Sequence, residues 1–430
     1  MARQSEPPRK ILLLQGPHGP FFRRLADLLG KAGCEVWRVG FNGGDRLFWS
    51  RDPRFIAYRG TTDGWGDFLS DVLGDLEITD IALYGDVRPL HATAAAIARA
   101  RGITLHVFEE GYVRPFWVTY ERAGSNGNSP LMRMNLPQIR AALERSAPES
   151  IPAPARWGDM RQHVFYGAIY HFFVLLGRWR YPLYQPHRGI GVLQEFRLHL
   201  RRLILMPVHH LGRWLATRRV RRGGFPYHLV MLQLEHDASF QTHSPFASMT
   251  EFIDLCLGAF ADGAPAHHHI VFKAHPLEDG RAAIAGAIRA GAARQGLTTR
   301  VHFIRGGKLA GLLEQARSAV TVNSTAAHQA LWRGLPVRAL GRAIYGLPEI
   351  VSSKPLKEFF AEPDRSDATA YRDFRRYLLE TCQVPGGFYS AKGRQRLLRQ
   401  VVDMMLAEED PYEALVSGKA APRQQLTVVR

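Results

Sequence analysis

The sequence predicts an α/β protein with two domains, and three observations carry that prediction. Short apolar strands alternate with amphipathic helices in the first quarter of the chain, and the same alternation resumes at Tyr227. Between these regions, the linker Ile151-Pro152-Ala153-Pro154-Ala155 leads into a basic, aromatic segment. Strands that alternate with helices favour mostly parallel sheets, because each helix supplies the crossover to the next strand. A length of 430 residues suits two or three domains.

The first α/β region is defined by apolar runs that end at glycine, proline or polar turns. The predicted strands cover 10–15, 34–39, 81–84 and 104–108, and the predicted helices cover 21–32 and 91–101. Asn42-Gly43-Gly44-Asp45 is expected to be a loop. These elements predict an N-terminal Rossmann-like domain over residues 1–150.

The second α/β region repeats the pattern. Its predicted strands cover 227–234, 269–273, 300–304, 319–322 and 337–340, and its predicted helices cover 248–260, 281–295, 308–316 and 325–333. They predict a C-terminal Rossmann-like domain over residues 225–369, preceded by a basic aromatic helical insertion over 151–224 and followed by a helical tail over 370–430. The two Rossmann-like domains are expected to face each other and to bind ligands at the carboxyl ends of their strands.

Composition excludes several classes of protein. The hydrophobic fraction of 46% and the charged fraction of 22% are those of a globular chain. No apolar run is long enough to predict a transmembrane helix, and the N-terminus lacks the features of a secretory signal. Three distant cysteines, Cys34, Cys256 and Cys382, have no metal-binding spacing and fit a reducing cytoplasm.

The net charge of +17 indicates an anionic partner, and most of the charge is local. Residues 156–222 hold thirteen Arg, no Lys, two acids and eleven aromatic residues, and contribute +11. This composition is typical of an amphipathic helix lying on anionic lipid, and the alternative is a solvated helical insertion. Nucleic-acid binding is disfavoured because no nucleic-acid-binding motif accompanies the arginines.

Polar residues at predicted strand ends are candidates for a site. In the second region, Lys273 and His275 lie at the end of one strand and suit a phosphate. Another strand is followed by Asn323, Ser324 and Thr325, which also suit a phosphate. The alternative for these three residues is an ordinary helix cap. In the first region Glu109-Glu110-Gly111 ends a strand, and one of these two glutamates is a candidate general base, because neighbours on a strand point to opposite faces. A solvated pair of turn acids is the alternative. Further candidate cleft residues are Gln15, His18, Asp86, Arg88, Glu109 and Arg114.

Cofactor and metal motifs are missing from the sequence. Gln15-Gly16-Pro17-His18-Gly19 lacks the spacing of a dinucleotide-binding loop, and no Walker, zinc or nucleophile-elbow motif occurs. His267, His268 and His269 are adjacent, so on a strand they alternate between faces and do not predict a metal site.

Seven stretches resemble, in order, the bacterial capsule polysaccharide biosynthesis and export proteins that act as β-Kdo transferases. The stretches are QGPHGPFFRRLADLL, FNGGD, LYGDVRPLH, VFEEGYVRPFWVTYERAGSNGNS, FKAHPLEDG, VTVNSTAAHQAL and LPVRALGRAIYG. The resemblance implies a GT-B-like architecture and transfer of Kdo from CMP-Kdo to a phosphatidylglycerol-type lipid, starting the capsule polysaccharide linker. The first domain would then be the acceptor side and the second the donor side.

The resemblance also implies roles for residues and partners. The family's acid-glycine motif falls on Glu110-Gly111, its His-Pro motif on His275-Pro276, and its phosphate motif on Ser324-Thr325. Asp237 lies where the chain departs from the family pattern, so no role is assigned to it. Glu110 would be base, nucleophile or electrostatic stabiliser in a reaction with net retention. No cofactor or metal is implied beyond the donor CMP-Kdo.

The implied location is the cytoplasmic surface of the inner membrane, where other capsule assembly and export proteins are potential partners. The alternative function is a non-catalytic export component that binds the lipid-linked glycan.

Overall fold

The structure, a computed structural model, describes residues 8–49, 52–145, 159–186, 191–278 and 283–419. The described chain divides into two compact units. The first unit draws on Met1–Pro130, Gln138–Val192 and Arg376–Arg430, and the second on Leu131–Pro137 and Leu193–Arg375.

The strands of the described residues form one sheet in each unit. They are β1 (Lys10–Leu13), β2 (Glu35–Gly40), β3 (Phe55–Ala57), β4 (Asp80–Tyr84), β5 (Thr104–Glu110), β6 (Trp117–Arg122), β7 (Tyr227–Met231), β8 (His269–Lys273), β9 (Val301–Ile304), β10 (Ala316–Thr321), β11 (Val337–Ala339) and β12 (Gln383–Pro385).

The helices flank these strands in chain order. They are α1 (Phe21–Lys31), α2 (Gly43–Leu47), α3 (Trp65–Asp75), α4 (Pro89–Ala100), α5 (Leu136–Glu144), α6 (Asp159–Leu176), α7 (Val192–Arg222), α8 (Ala238–His243), α9 (Met249–Gly263), α10 (Ile284–Arg294), α11 (Ala310–Leu313), α12 (Ala327–Leu331), α13 (Leu356–Ala361), α14 (Ala368–Glu380), α15 (Ala391–Leu406) and α16 (Pro411–Val416). Short 3₁₀ helices cover Asn126–Asn128, Pro130–Arg133 and Gly177–Trp179.

The first sheet has the strand order β12-β6-β5-β4-β1-β2-β3. Neighbours among β1 to β5 are parallel, whereas β6 is antiparallel to both β5 and β12. The second sheet, β11-β10-β7-β8-β9, is parallel throughout. The predicted α/β class is therefore confirmed, with mixed pairing at one side of the first sheet.

Strand β1 shows why a continuous apolar run is needed in such a sheet. Ile11 and Leu13 belong to a core with α1 and α15 on one face, whereas Leu12 and Leu14 belong to a core with α3 and α4 on the other. Successive side chains of a strand point to opposite faces, so a strand covered on both faces is apolar at every position.

The division into units differs from the predicted domain boundaries. Residues 370–430 were expected to form a helical tail, but β12 pairs with β6, and α15 places Leu397 and Val401 in the core of the first unit. The basic segment was expected to be one insertion, but α6 belongs to the first unit and most of α7 to the second.

Helix α6 approaches α2 closely at two glycines. A Cβ on Gly43 would lie 2.2 Å from the carbonyl oxygen of Phe173, and one on Gly44 would lie 2.5 Å from the Tyr170 ring. The expected loop at Asn42-Gly43-Gly44-Asp45 is instead the start of α2, which Asn42 caps by accepting a hydrogen bond from the Asp45 backbone N–H at 2.9 Å. The two glycines therefore allow the helices to touch.

The part of the chain that the structure describes contains no helix both long and apolar enough to cross a membrane.

Candidate active site

Glu110 ends β5, where two tyrosine hydroxyls converge on its carboxyl group. Tyr84 and Tyr389 each donate a hydrogen bond to Glu110 Oε1 at 3.3 Å. Burial and the nearby Glu110 charge raise the pKa of both tyrosines well above the ordinary value, so both hydroxyls stay protonated and able to donate. The arrangement fixes one carboxyl oxygen and leaves Oε2 with no hydrogen bond among the described residues.

Strand register explains why these groups meet. Tyr84 ends β4 beside Phe108 of β5, and Glu110 lies two residues further along β5 on the same face. Tyr389 lies between β12 and α15, next to the cap residue Ser390. Glu109 has the opposite orientation and accepts a hydrogen bond from the Glu110 backbone N–H at 3.0 Å. The two acids therefore have different environments, as expected for neighbours on a strand.

A polar network adjoins this carboxylate through Arg88 and Gln15. The Arg88 guanidinium lies 4.9 Å from the Tyr84 ring centroid and donates to Gln15 Oε1 at 3.5 Å. Gln15 in turn donates to the Tyr170 hydroxyl at 2.8 Å. His18 stacks on the same Tyr170 ring at 4.5 Å. The structure thus brings Gln15, His18 and Arg88 together around one tyrosine of α6.

Two predicted cleft residues are engaged in holding loops. The buried Asp86 carboxylate accepts hydrogen bonds from the Ser125 hydroxyl at 3.0 Å and the Asn128 amide at 2.9 Å. Arg114 is exposed and donates from Nε to the Gly111 carbonyl at 3.1 Å. These contacts account for both residues structurally, and none of them involves the Glu110 carboxyl group.

The second unit holds a buried cation at the end of β8. Lys273 is only 6% exposed, and burial, aided by the charge of Arg213 on α7, lowers its pKa to about 8. Two cations kept close together without a neutralising acid among their described contacts favour an anionic ligand. Arg213 was missed by the sequence analysis because it lies in a segment where arginine is abundant.

His275 follows Lys273 in a tight turn. Its Nδ1 accepts a hydrogen bond from the Leu277 backbone N–H at 3.1 Å, so the neutral ring carries its proton on Nε2. This contact fixes the tautomer of the neutral His275 ring.

Asn323 is held by a reciprocal amide pair. Gln233 Nε2 donates to Asn323 Oδ1 at 2.7 Å, and the Asn323 backbone N–H donates to Gln233 Oε1 at 3.0 Å. The Asn323 amide also donates to the Ser239 carbonyl at 3.3 Å. The pair ties the loop after β7 to the loop after β10, so Asn323 positions its neighbours and Gln233 is a missed positioning residue.

Ser324 and Thr325 precede a shorter helix than expected. Helix α12 begins at Ala327 and ends at Leu331, because Ser324 Oγ accepts the Ala326 backbone N–H at 3.2 Å and forms a turn before the helix. The predicted helix over 325–333 is therefore wrong at both ends, and a five-residue helix offers no strong dipole to an anion. Any contribution of Ser324 and Thr325 to ligand binding rests on their hydroxyls and loop.

The strand register places the loop after β8 and the loop after β10 at the same end of the second sheet. Met231 of β7 pairs with Lys273 on one side and Thr321 on the other. With about 4.8 Å between neighbouring strands, Lys273 and the start of the Asn323 loop are roughly 10 Å apart. That span suits the phosphate and sugar of a nucleotide.

Asp237 acts as a helix cap. Its Oδ1 accepts the Ser239 backbone N–H at 3.1 Å at the start of α8. Among the described residues, no group of three His, Cys, Asp or Glu side chains is arranged to hold a metal ion.

Comparison with known proteins identifies relatives over most of the chain. The chain is 30% identical over 388 residues to the capsule polysaccharide export protein KpsS of Escherichia coli, covering 89% of this chain and 97% of that protein. It is 31% identical over 395 residues to the capsule polysaccharide modification protein LipB of Neisseria meningitidis serogroup B, strain MC58, covering 90% of this chain and 93% of that protein.

Solved structures with a similar course of the chain include KpsC, the beta Kdo 2,7 transferase of Thermosulfurimonas dismutans. The TM-score is 0.43 at 12% identity, covering 91% of this chain and 99% of that one. Anabaena HepE, in complex with UDP and glucose, gives a TM-score of 0.29 at 13% identity and covers 77% of this chain and 80% of its own.

A family match confirms the resemblance to capsule polysaccharide biosynthesis proteins. Residues 79–389 match the capsule polysaccharide biosynthesis protein family, and this range contains Glu110, Lys273, His275 and Ser324. The chain therefore belongs to the capsule polysaccharide biosynthesis protein family.

Proposed function

We propose that the protein transfers Kdo from CMP-Kdo to a hydroxyl of a phosphatidylglycerol-type lipid, the first step of the capsule polysaccharide linker. The observation that carries the proposal is Glu110, held by Tyr84 and Tyr389 with a second carboxyl oxygen available to a substrate. A carboxylate in this arrangement suits a reaction in which a hydroxyl loses its proton or a positively charged sugar centre forms.

The second unit supports binding of an anionic donor. Lys273, Arg213 and the Nε2–H of His275 are donors that suit the phosphate of CMP-Kdo. In the transfer, the bond between the anomeric carbon and the phosphate oxygen breaks, and CMP departs with the bonding electrons. The same cations stabilise the developing charge on the leaving phosphate.

Glu110 is the candidate acceptor for the proton that the acceptor hydroxyl loses. The acceptor oxygen forms a new bond to the anomeric carbon and releases its proton, which Glu110 accepts if it acts as the base. As nucleophile, Glu110 instead bonds to the anomeric carbon as CMP departs, and the acceptor oxygen then breaks that bond as it forms its own. As electrostatic stabiliser, Glu110 only contacts the sugar centre. In both cases the proton passes to water or to the departing phosphate.

A turnover assay tests the proposal. The full chain, mixed with CMP-Kdo and phosphatidylglycerol in detergent, is expected to release CMP and form a Kdo-lipid, measured by mass spectrometry. Activity is expected to survive EDTA, because protein cations stabilise the leaving phosphate. CMP-Kdo consumption that requires added divalent metal would contradict this part of the proposal.

The non-catalytic alternative predicts a different result in the same assay. A binding component of capsule export retains Kdo-lipid without consuming CMP-Kdo. Binding without turnover, under conditions in which a known Kdo transferase is active, would reject the enzyme and favour the export component.

Replacing Tyr389 with Phe is expected to lower kcat about tenfold with little change in the KM for CMP-Kdo. The variant loses one hydrogen bond to Glu110 but keeps the ring, and a hydrogen bond to a charged group contributes roughly 1.5–3 kcal/mol. Tyr166→Phe is the matched control, because the Tyr166 ring packs against Phe48 and its hydroxyl makes no described hydrogen bond. Equal kcat values for the two variants would remove Tyr389 from this role.

We further propose that the protein works at the cytoplasmic surface of the inner membrane. Exposed apolar residues recur along α6 at helical spacing, with Phe165, Phe172 and Leu176 each more than half exposed, and Trp179 follows in the next turn. Such a stripe, flanked by arginines, suits the interface of an anionic bilayer. Sedimentation with vesicles containing phosphatidylglycerol is expected to fall as salt rises, and salt-independent binding would contradict the proposal.

A further inference from the structure

A cationic cavity lies along the last turns of α7, which also carries Arg213 on another face. Its volume is about 600 Å³, and its lining residues are Trp214, Thr217, Arg218, Arg221, Arg222 and Gln315. All six belong to the second unit. Gln315 immediately precedes β10, whereas Asn323 follows its other end. Because a strand rises about 3.3 Å per residue, the six residues of β10 separate Gln315 from the Asn323 loop by roughly 20 Å.

Three arginines of this cavity form no ion pair within the described residues, although Glu314, like Arg221, lies near Tyr227. Arg218, Arg221 and Arg222 occupy adjacent turns of α7, and none forms an ion pair within the described residues. Like charges at these spacings repel each other, so an anion bound among them would relieve the repulsion. The Arg218 guanidinium lies 5.1 Å from the Trp214 ring centroid, which restricts its orientation. Planar guanidinium groups match the oxygens of a phosphate.

The same face of α7 is apolar one turn earlier. Leu211, Leu215, Arg218 and Arg222 follow the i, i+4, i+7, i+11 spacing of one helical stripe, and the two leucines are 60% and 53% exposed. The Trp214 ring beside them is half exposed. A nucleotide or a free phosphate would use the arginines but not the leucines. A ligand that combines a phosphate with hydrocarbon uses both.

We propose that this cavity binds the phosphate of an anionic lipid headgroup, with Leu211 and Leu215 entering the bilayer interface beside it. The proposal rests on the membrane location proposed above and specifies its contact with lipid. Trp214 suits the same boundary, because indole rings concentrate where hydrocarbon meets the headgroups. Arg213, on the opposite face of the helix, lies near Lys273, so α7 separates a lipid-facing surface from the donor-binding side.

The test compares two triple variants of the full chain that lose equal charge. Arg218→Gln, Arg221→Gln and Arg222→Gln together remove the cavity's arginines. Arg289→Gln, Arg372→Gln and Arg399→Gln remove three exposed arginines from other helices. Binding to vesicles of phosphatidylglycerol and phosphatidylcholine is measured at about 0.15 M salt. The cavity variant is expected to bind roughly 100-fold more weakly than wild type, and the control within a few-fold. Equal loss in both variants would overturn the proposal.

Two further measurements identify the ligand. Leu211→Ser with Leu215→Ser is expected to weaken vesicle binding while keeping its salt dependence, because the arginines remain. Inorganic phosphate and glycerol phosphate are expected to bind wild type weakly. Tight arginine-dependent binding of either one, with vesicle binding unaffected by the arginine changes, would assign the cavity to a free phosphate and overturn the lipid proposal.

The test is independent of sugar transfer. Vesicle binding requires no CMP-Kdo, and turnover on a short water-dispersed acceptor is expected to be equal in the cavity variant and wild type. If wild type shows no turnover but the cavity variant still loses vesicle binding, the proposed transferase function fails while the lipid site stands.

Discussion

Replacing Glu110 with Gln is expected to reduce Kdo transfer by roughly 10²–10⁴-fold, the contribution typical of a positioned catalytic carboxylate. The amide retains the shape of the side chain and an oxygen that accepts from Tyr84 and Tyr389. It cannot take a proton from a hydroxyl, and it carries no charge with which to stabilise a cationic sugar centre. CMP binding and thermal stability are therefore expected to stay close to wild type.

Glu109→Gln is the matched control for this change. Glu109 is the preceding residue, is similarly half-buried, and accepts the Glu110 backbone N–H. Its substitution is expected to lower kcat far less than Glu110→Gln. A Glu110→Gln variant with near-normal turnover and an inactive Glu109→Gln variant would transfer the catalytic role to Glu109.

The strands that carry the site were predictable because each one is specified by consecutive residues in the sequence. Each apolar run is bounded by turn residues. The observed bounds of β1, β4, β5 and β7 lie within three residues of the predicted ones, and those of β8 agree with them. The ends of these strands carry Glu110, Lys273 and His275, which the pattern of polar residues after apolar runs also identified. The local sequence was therefore sufficient to predict these strands and the polar residues at their ends.

Other contacts depend on residues far apart in the sequence, and no periodicity encodes them. Tyr389 meets Glu110 across 279 positions, and Gln233 meets Asn323 across 90. The prediction of a helical tail misses β12, because three residues are too few to show an alternation of polar and apolar positions. Tertiary pairing with β6, rather than local preference, makes that segment a strand and brings Tyr389 to the site.

Replacing Lys273 with Met is expected to weaken CMP binding by roughly 10- to 100-fold, because a hydrogen bond from a charged donor to phosphate contributes about 1.5–3 kcal/mol. Met has a similar length and fills the buried position without the ammonium group. Lys273→Arg is the matched variant that keeps the charge. Calorimetric titration with CMP measures both, and equal affinity of wild type and Lys273→Met would place the phosphate elsewhere.

The pH dependence of CMP binding provides a sharper test of Lys273. Burial and the charge of Arg213 lower the pKa of Lys273 to about 8, and a bound phosphate raises it because the ammonium gains an anionic partner. Protonation therefore favours the complex, so affinity is expected to be nearly constant between about pH 7 and pH 8 and to fall as pH rises above 8, by at most tenfold per pH unit. Above about pH 7 the CMP phosphate stays dianionic, since its second pKa is about 6. Lys273→Arg, which remains charged, is expected to abolish the decline. A decline that persists unchanged in that variant would show that another group titrates and would remove Lys273 from the phosphate site.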